Sequence, residues 1–269
     1  MYLEYWGLRE SPFGGLASRY YHETSAQEEA LARLHFLVEG RRRLGLLLGY
    51  SGVGKSMLLE LFARQLRAAG QQVASIGLLG LGADEFFWHV AVQLGMKPPA
   101  GAPTFQLWRA VTNFMDAGRY QKLATVFLLD DADEASPGVL DQAIRLAQSD
   151  WSADARITLV FAANSGRLAR LPGRLGQLAE LRVDVEPWDF VETRRYIEGA
   201  LAEAGRRIPV FQPAAIDRLY QYSRGVPREV RQLADLALLA GAGCELLEID
   251  AATVDSVFHE LGTLTARSA

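Results

Sequence analysis

The 269-residue sequence contains one cysteine, Cys244, and only three lysines, Lys55, Lys97 and Lys122. A lone cysteine closes no internal disulfide, which excludes a disulfide scaffold and fits a reducing compartment. The four histidines, His22, His35, His89 and His259, lack ligand spacing, which argues against a metal site built on histidine. No uninterrupted apolar run approaches the ~18 residues that a membrane-spanning helix needs, and the first residues lack the basic-then-apolar order of a signal peptide. A net charge of −4 supplies no bulk attraction to phosphate backbones, so any nucleic-acid contact would have to be local. With so few lysines, the 28 basic residues are almost all arginine, a bias that genome base composition accounts for.

What is present is a hydrophobic content of 49%, enough for a full core in one large domain or two small ones. Apolar stretches at 44–49, 72–81, 124–130, 156–164 and 181–187 read as buried strands. Helical patterns precede them at 25–38 and lie between them at 55–69, 84–95 and 104–117, and the three prolines in "KPPAGAP" separate the last two. From Trp188 onward the pattern is helical throughout. Continuous apolar strands alternating with helices predict an α/β fold, a parallel sheet covered on both faces. The expected division is an α/β core over 1–187, with an N-terminal helical lead-in, and a helical lid over 188–269.

The stretch "LLLGYSGVGKSMLLEL" places three glycines and a lysine between a strand and an amphipathic helix. Gly49, Gly54, Lys55 and Ser56 match G-x-x-x-x-G-K-[ST], a phosphate-binding loop, with Gly52 as an extra glycine. Glycine lets backbone approach phosphate closely, and the following helix aims its unpaired N–H groups and positive dipole end at the anion. The nucleotide-binding segment therefore comprises Gly49, Tyr50, Ser51, Gly52, Val53, Gly54, Lys55, Ser56 and Met57. Lys55 is expected to reach the β- and γ-phosphates of ATP, and the Ser56 hydroxyl to ligate Mg2+. "TVFLLDDADEA" supplies the carboxylates: Asp130, ending a buried strand, as the second metal ligand, and Asp131 as base for the attacking water.

These motifs, with the strand ending "AAN", the segment "VEPWDFVETRRYIEGALAEAG" and the late "SRGVPREVRQLADLAL", resemble in order and spacing the AAA+ ATPases of the general secretion pathway A type. The opening "MYLEYWGLRESPFGGLASRYYHETSAQEEALARL" is similar to that family's N-terminus, and the likeness runs over nearly all of residues 1–262. The resemblance implies that Asn164 is the sensor 1 residue placing the attacking water, and that Arg228 in "GVPR" is the sensor 2 arginine contacting the γ-phosphate. It also implies a homo-oligomer in the ATP state, a cytoplasmic location peripheral to the inner membrane through a partner, and a partner in envelope or secretion machinery. Longer relatives carry a membrane span and a peptidoglycan-binding part after the ATPase, which this chain is expected to lack.

Two departures from the family pattern stand out. The family has Asp-Glu where this chain has Asp130-Asp131, shortening the candidate base by about 1.5 Å and suggesting slow hydrolysis; Asp133 or Glu134 could compensate. The intersubunit arginine finger aligns with Leu178, leaving Arg174 and Arg182 as nearby alternatives. Two competing readings stay open: a DNA-associated ATPase regulator of the transposition type, disfavoured by the acidic charge, and a nucleotide-gated binding module with little hydrolysis. "GRRRLG" (40–45) reads as a solvated cap, and Phe86, Phe87, Trp88, Phe105 and Trp108 read as core.

Overall fold

In the computed structural model the described residues are 2–14, 24–150, 152 and 154–266, with side chains described as far as 261. His22 and the 15–23 part of the lead-in lie outside them. The chain divides into two compact units, one formed by residues 25–186 and the other by 1–24 with 187–269.

The helical unit opens with α1 (Tyr2–Trp6). The α/β unit then runs through α2 (Ser25–Glu39), β1 (Leu44–Gly49), α3 (Lys55–Ala68), β2 (Gln72–Gly77), α4 (Phe86–Gln93), α5 (Thr104–Tyr120), β3 (Thr125–Asp130), α6 (Pro137–Ala147), β4 (Ile157–Asn164), α7 (Gly173–Leu178) and β5 (Leu181–Asp184). The five strands form one parallel sheet in the order β2-β3-β4-β1-β5. Period-two alternation explains why both faces are apolar. Leu46, Leu48, Phe127, Leu129 and Phe161 face the cluster with α4, α5 and α6. Leu47, Val126, Leu128, Val160 and Ala162 face the cluster with α2 and α3. Each fully buried leucine or phenylalanine here is worth about 1.5–3 kcal/mol relative to exposure.

Several sequence expectations shift locally. The second strand stops at Gly77 rather than 81, because the chain turns at Gly80 with φ +70°. Phe86 and Phe87 are core, but Phe105 is 69% exposed, and Trp108 is partly buried, with the Arg145 guanidinium 4.1 Å over its ring. In the "GRRRLG" stretch, Arg42 pairs with Glu180 at 3.2 Å, and the same carboxylate accepts the Arg43 backbone N–H at 2.7 Å.

The second unit contains α8 (Phe190–Glu203), α9 (Pro213–Ser223), α10 (Pro227–Gly243) and α11 (Ala251–Ala266). A capping box starts α8: Glu192 N–H donates to Asp189 Oδ1 at 2.7 Å and Asp189 N–H to Glu192 Oε2 at 3.2 Å. The N-terminal lead-in, expected with the α/β core, packs here instead. Trp6, Leu8 and Phe13 are buried among Tyr196, Phe211 and Leu238, and the Trp6 indole N–H donates to the Leu238 carbonyl at 2.8 Å. An aromatic-rich amphipathic segment goes where apolar surface awaits cover, and sequence order does not specify which unit offers it. No helix among the described residues is long and apolar enough to cross a membrane.

Candidate functional site

In parallel α/β sheets, ligands bind in the crevice beyond the carboxyl ends of the strands. Three strands end there with the residues singled out by sequence: β1 at Gly49, β3 at Asp130 and β4 at Asn164. Gly49 and Asn164 lie opposite each other in the β1–β4 register, and β3 runs along the other side of β4.

The loop from β1 to α3 needs its glycines for different reasons. A Cβ at Gly49 would lie 2.5 Å from the Val185 carbonyl oxygen and 2.8 Å from Val53, so no side chain fits. Gly52 and Gly54 take φ values of +86° and +102°, in the left-handed region that costs other residues energy. Val53 is 1% exposed and anchors the loop, whereas Tyr50 and Met57 project outward. Ser51 and Ser56 are exposed, and Ser56 occupies the first turn of α3. Of the nine loop residues named from sequence, the backbone and the side chains of Lys55 and Ser56 are thus the parts suited to a phosphate. Lys55 Nζ donates to the carbonyls of Gly49 at 2.8 Å and Tyr50 at 3.0 Å, which folds the ammonium over the loop.

Asp130 is half-buried, and its Oδ1 accepts the Asp131 N–H at 2.9 Å. Asp131 is exposed and left-handed, with φ 54° and ψ 41°. The next residues form the 3-10 turn Ala132–Glu134. Asp133 is buried and accepts the Asn164 backbone N–H at 2.8 Å. Glu134 pairs with Arg167 and, at 3.0 Å, with Arg170. Both acids are engaged structurally, so neither stands ready to replace Asp131. Asp133 is the residue that sequence reasoning did not single out: four acids crowd "DDADE", and only burial distinguishes it. Asn164 Oδ1 accepts the Gly166 N–H at 3.0 Å, which assigns donation to the NH2 end of its amide.

No group of three or more His, Cys, Asp or Glu side chains among the described residues is arranged to hold a metal by itself. A hydroxyl and one carboxylate, Ser56 and Asp130, fit magnesium, which keeps waters and shares phosphate oxygens rather than filling an all-protein cage.

Arg174, on α7, donates to Gln148 Oε1 at 2.6 Å. Arg182, on β5, grips Asp184 through Nε at 2.9 Å and Nη2 at 2.8 Å. That hydrogen-bonded carboxylate, and then its charge, hold the Arg182 guanidinium above the usual arginine range. Leu178 is half-buried at the end of α7. Arg228 follows Pro227 in the first turn of α10, in the helical unit, and is exposed. The preceding turn requires Gly225, whose φ is +71° and whose Cβ would lie 1.8 Å from the Trp188 carbonyl oxygen.

Residues 38–171 match a family model described as an AAA domain. General secretion pathway protein A of Aeromonas hydrophila is 27% identical over 252 residues, covering 89% of this chain. The chain spans 45% of that relative's length. Among solved structures, the Aeropyrum pernix ORC2 protein in ADPNP-ADP complexes aligns with 93% of this chain and 71% of its own, at 16% identity and TM-score 0.66. Drosophila ORC bound to DNA aligns with 91% of this chain and 63% of its own, at 16% identity and TM-score 0.70. At such identities these structures speak for the fold. Residues 38–171 belong to the AAA domain family, and the chain that carries them combines a five-stranded parallel sheet with similarity over most of its length to general secretion pathway protein A.

Proposed function

We propose that this chain binds ATP with magnesium at residues 49–57, hydrolyses it slowly, and uses ATP-driven homo-oligomer assembly to support construction of a secretion or envelope machine. The observation that carries the reading is the convergence of Gly49, Asp130 and Asn164 at the carboxyl ends of neighbouring strands, where Gly49 leaves no room for a side chain and Gly52 and Gly54 take positive φ. The loop N–H groups, the Lys55 ammonium and the N-terminus of α3 would hold the phosphates. Ser56 and Asp130 would hold magnesium, which when bound neutralises charge on the phosphate oxygens. Asp131 would accept a proton from the attacking water and the Asn164 amide would orient that water. Arg228 would supply the lid's cation to the γ-phosphate. A short base in a left-handed conformation supports slow rather than fast hydrolysis.

Similarity to general secretion pathway protein A supports the envelope role, with the chain on the cytoplasmic side and reaching the inner membrane through a partner. A second reading, an ATP-dependent regulator assembled on DNA, has one observation behind it: Drosophila ORC, whose solved structure is similar, is bound to DNA. The net charge of −4 weighs against it.

Light-scattering mass without nucleotide, with ADP and with ATP plus magnesium separates these readings. Assembly with ATP that disappears in Lys55→Ala is the expected result. A further gain with short duplex DNA would shift the assignment to the DNA-associated class, and a monomer under every condition would withdraw the assembly role.

A further inference from the structure

The β3–β4 ladder ends at Leu129 opposite Phe161, while β4 continues beside β1 for three more residues, to Asn164 opposite Gly49. Amide direction alternates along a strand of a parallel sheet. The Leu159 N–H bonds the Arg43 carbonyl on the β1 side, so by alternation the Asn164 N–H points to the opposite side, beyond the place where β3 has stopped. An N–H left unpaired and buried there would lose its hydration with nothing in return. Its partner is a side chain: β3 turns through left-handed Asp131 into the 3-10 turn, and Asp133 Oδ1 accepts the Asn164 N–H at 2.8 Å.

A carboxylate that is 7% exposed needs strong compensation. It receives that bond and, from its other oxygen, a 3.8 Å approach of Arg167 Nη1. Arg167 belongs to the turn Ser165–Arg170, whose first residues also close on the Asn164 side chain through Gly166 N–H. The Asn164 backbone is therefore pinned from the β3 side and its amide oriented from the following turn. Asp131, the proposed base, lies two residues before the pin. Base and water-orienting amide thus hang on the same short bridge between two strand ends.

We propose that Asp133 is the positioning residue for Asn164, setting its place relative to Asp131 by closing the gap where β3 and β4 part. The role rests on the ATPase reading above. Asp133 acts through Asn164 and touches no substrate.

The test combines amide hydrogen exchange of a peptide spanning Asn164, measured without nucleotide, with steady-state ATP turnover. It uses wild type, Asp133→Ala, Asp133→Asn, Asn164→Ala and the Asp133→Ala/Asn164→Ala pair. Asp133→Ala should expose the Asn164 amide and lower kcat about 10- to 100-fold, the size of effect expected from an ångström-scale misplacement. KM should stay within about threefold, because ground-state binding is untouched. Asp133→Asn keeps an acceptor and should restore amide protection and most of kcat. The double variant should be no slower than Asn164→Ala alone.

Multiplicative losses in the double variant would overturn the proposal, as would Asn164 exposure with kcat unchanged. If Asp133→Ala does not fold, Asp133→Asn decides: normal protection with turnover abolished would make Asp133 a chemical participant instead. Wild-type protein that binds no ATP analogue would bring down the ATPase reading, and this inference with it, whereas active wild type with unaffected variants would remove the positioning role alone.

Discussion

The backbone N–H of Asp131 donates to Oδ1 of Asp130 at 2.9 Å, and the proposed base held there lies in the left-handed region. Asparagine tolerates that conformation at least as well as aspartate. Asp131→Asn should therefore leave nucleotide affinity and melting temperature close to wild type while turnover falls by about 10²- to 10⁴-fold, the usual value of a general base. Turnover that survives this change would remove the base assignment. Asp131→Glu restores the reach common in the family but places a longer side chain at positive φ. It should hydrolyse faster yet lose about 1 kcal/mol of stability, read as a melting point about 2–4 °C lower.

Lys55 reaches back to the carbonyls of Gly49 and Tyr50, closing the loop on its own cation. Bound phosphate would exchange these neutral acceptors for charged ones, a roughly twofold stronger interaction. ATP with magnesium should raise the melting temperature of wild type, by the equivalent of about 2.7 kcal/mol at a hundredfold excess over Kd. In Lys55→Ala that shift should vanish. An equal shift in both proteins would place the nucleotide elsewhere.

Arg174 and Arg182 are both candidates for a cation reaching a neighbouring subunit, and their present partners separate them. Arg182 would have to give up a bidentate bond to the charged Asp184, whereas Arg174 would give up one bond to the neutral amide of Gln148. The cheaper release is that of Arg174. Arg174→Ala should lower ATP turnover in the assembled state without changing ATP affinity, and Arg182→Ala should have a smaller effect. Reversed rankings in turnover measured above the assembly concentration would favour Arg182.

Trp6 is 2% exposed and bonds a carbonyl 232 residues further along the chain. The lead-in is thereby part of the helical unit's core. Trp6→Ala should cost about 3–5 kcal/mol, typical of a buried tryptophan truncated to alanine. Urea unfolding followed by helical signal would show it, and a loss under about 1 kcal/mol would mean the lead-in merely rests on the surface.

The residues that were legible in the sequence are those whose type and local spacing decide their place. "LGLLLG", "TVFLLD" and "ITLVFAAN" are short and apolar but for a threonine and a polar last residue in the second and third, the pattern of strands covered on both faces, and each ends at the site. The loop announced itself because glycines before a lysine have few other uses. What local pattern withheld was long-range pairing. Asp133 looks like its acidic neighbours until the register leaves the Asn164 N–H without a strand partner. Trp6 and Phe13 are aromatic residues near a sheet domain in sequence, yet they cover helices that come almost two hundred residues later. Phe105 reads as core by composition and is exposed, because α5 turns only Leu107, Val111, Met115 and Gly118 fully inward.

Asp250 offers a pH test of the helical unit. The backbone N–H of Thr253 donates to its Oδ1 at 2.9 Å and the Thr253 hydroxyl at 2.8 Å, capping α11. These bonds favour the ionised form, the backbone one most, and hold the carboxyl below the usual aspartate range despite an opposing effect of burial. A depressed folded-state pKa means that the stabilisation is present above the unfolded value, about 3.9, and is lost as pH falls through the folded one. Asp250→Ala should cost about 1 kcal/mol at pH 7. The difference from wild type should shrink as urea midpoints are measured at successively lower pH. Asp250→Asn keeps an acceptor for the cap but not the charge, so it should retain most of the neutral-pH stability and lose the pH dependence assigned to this site. A wild-type minus Asp250→Asn difference that stays constant from pH 7 to below the unfolded aspartate pKa would show that the cap works through geometry alone and that the ionised carboxylate adds nothing to it.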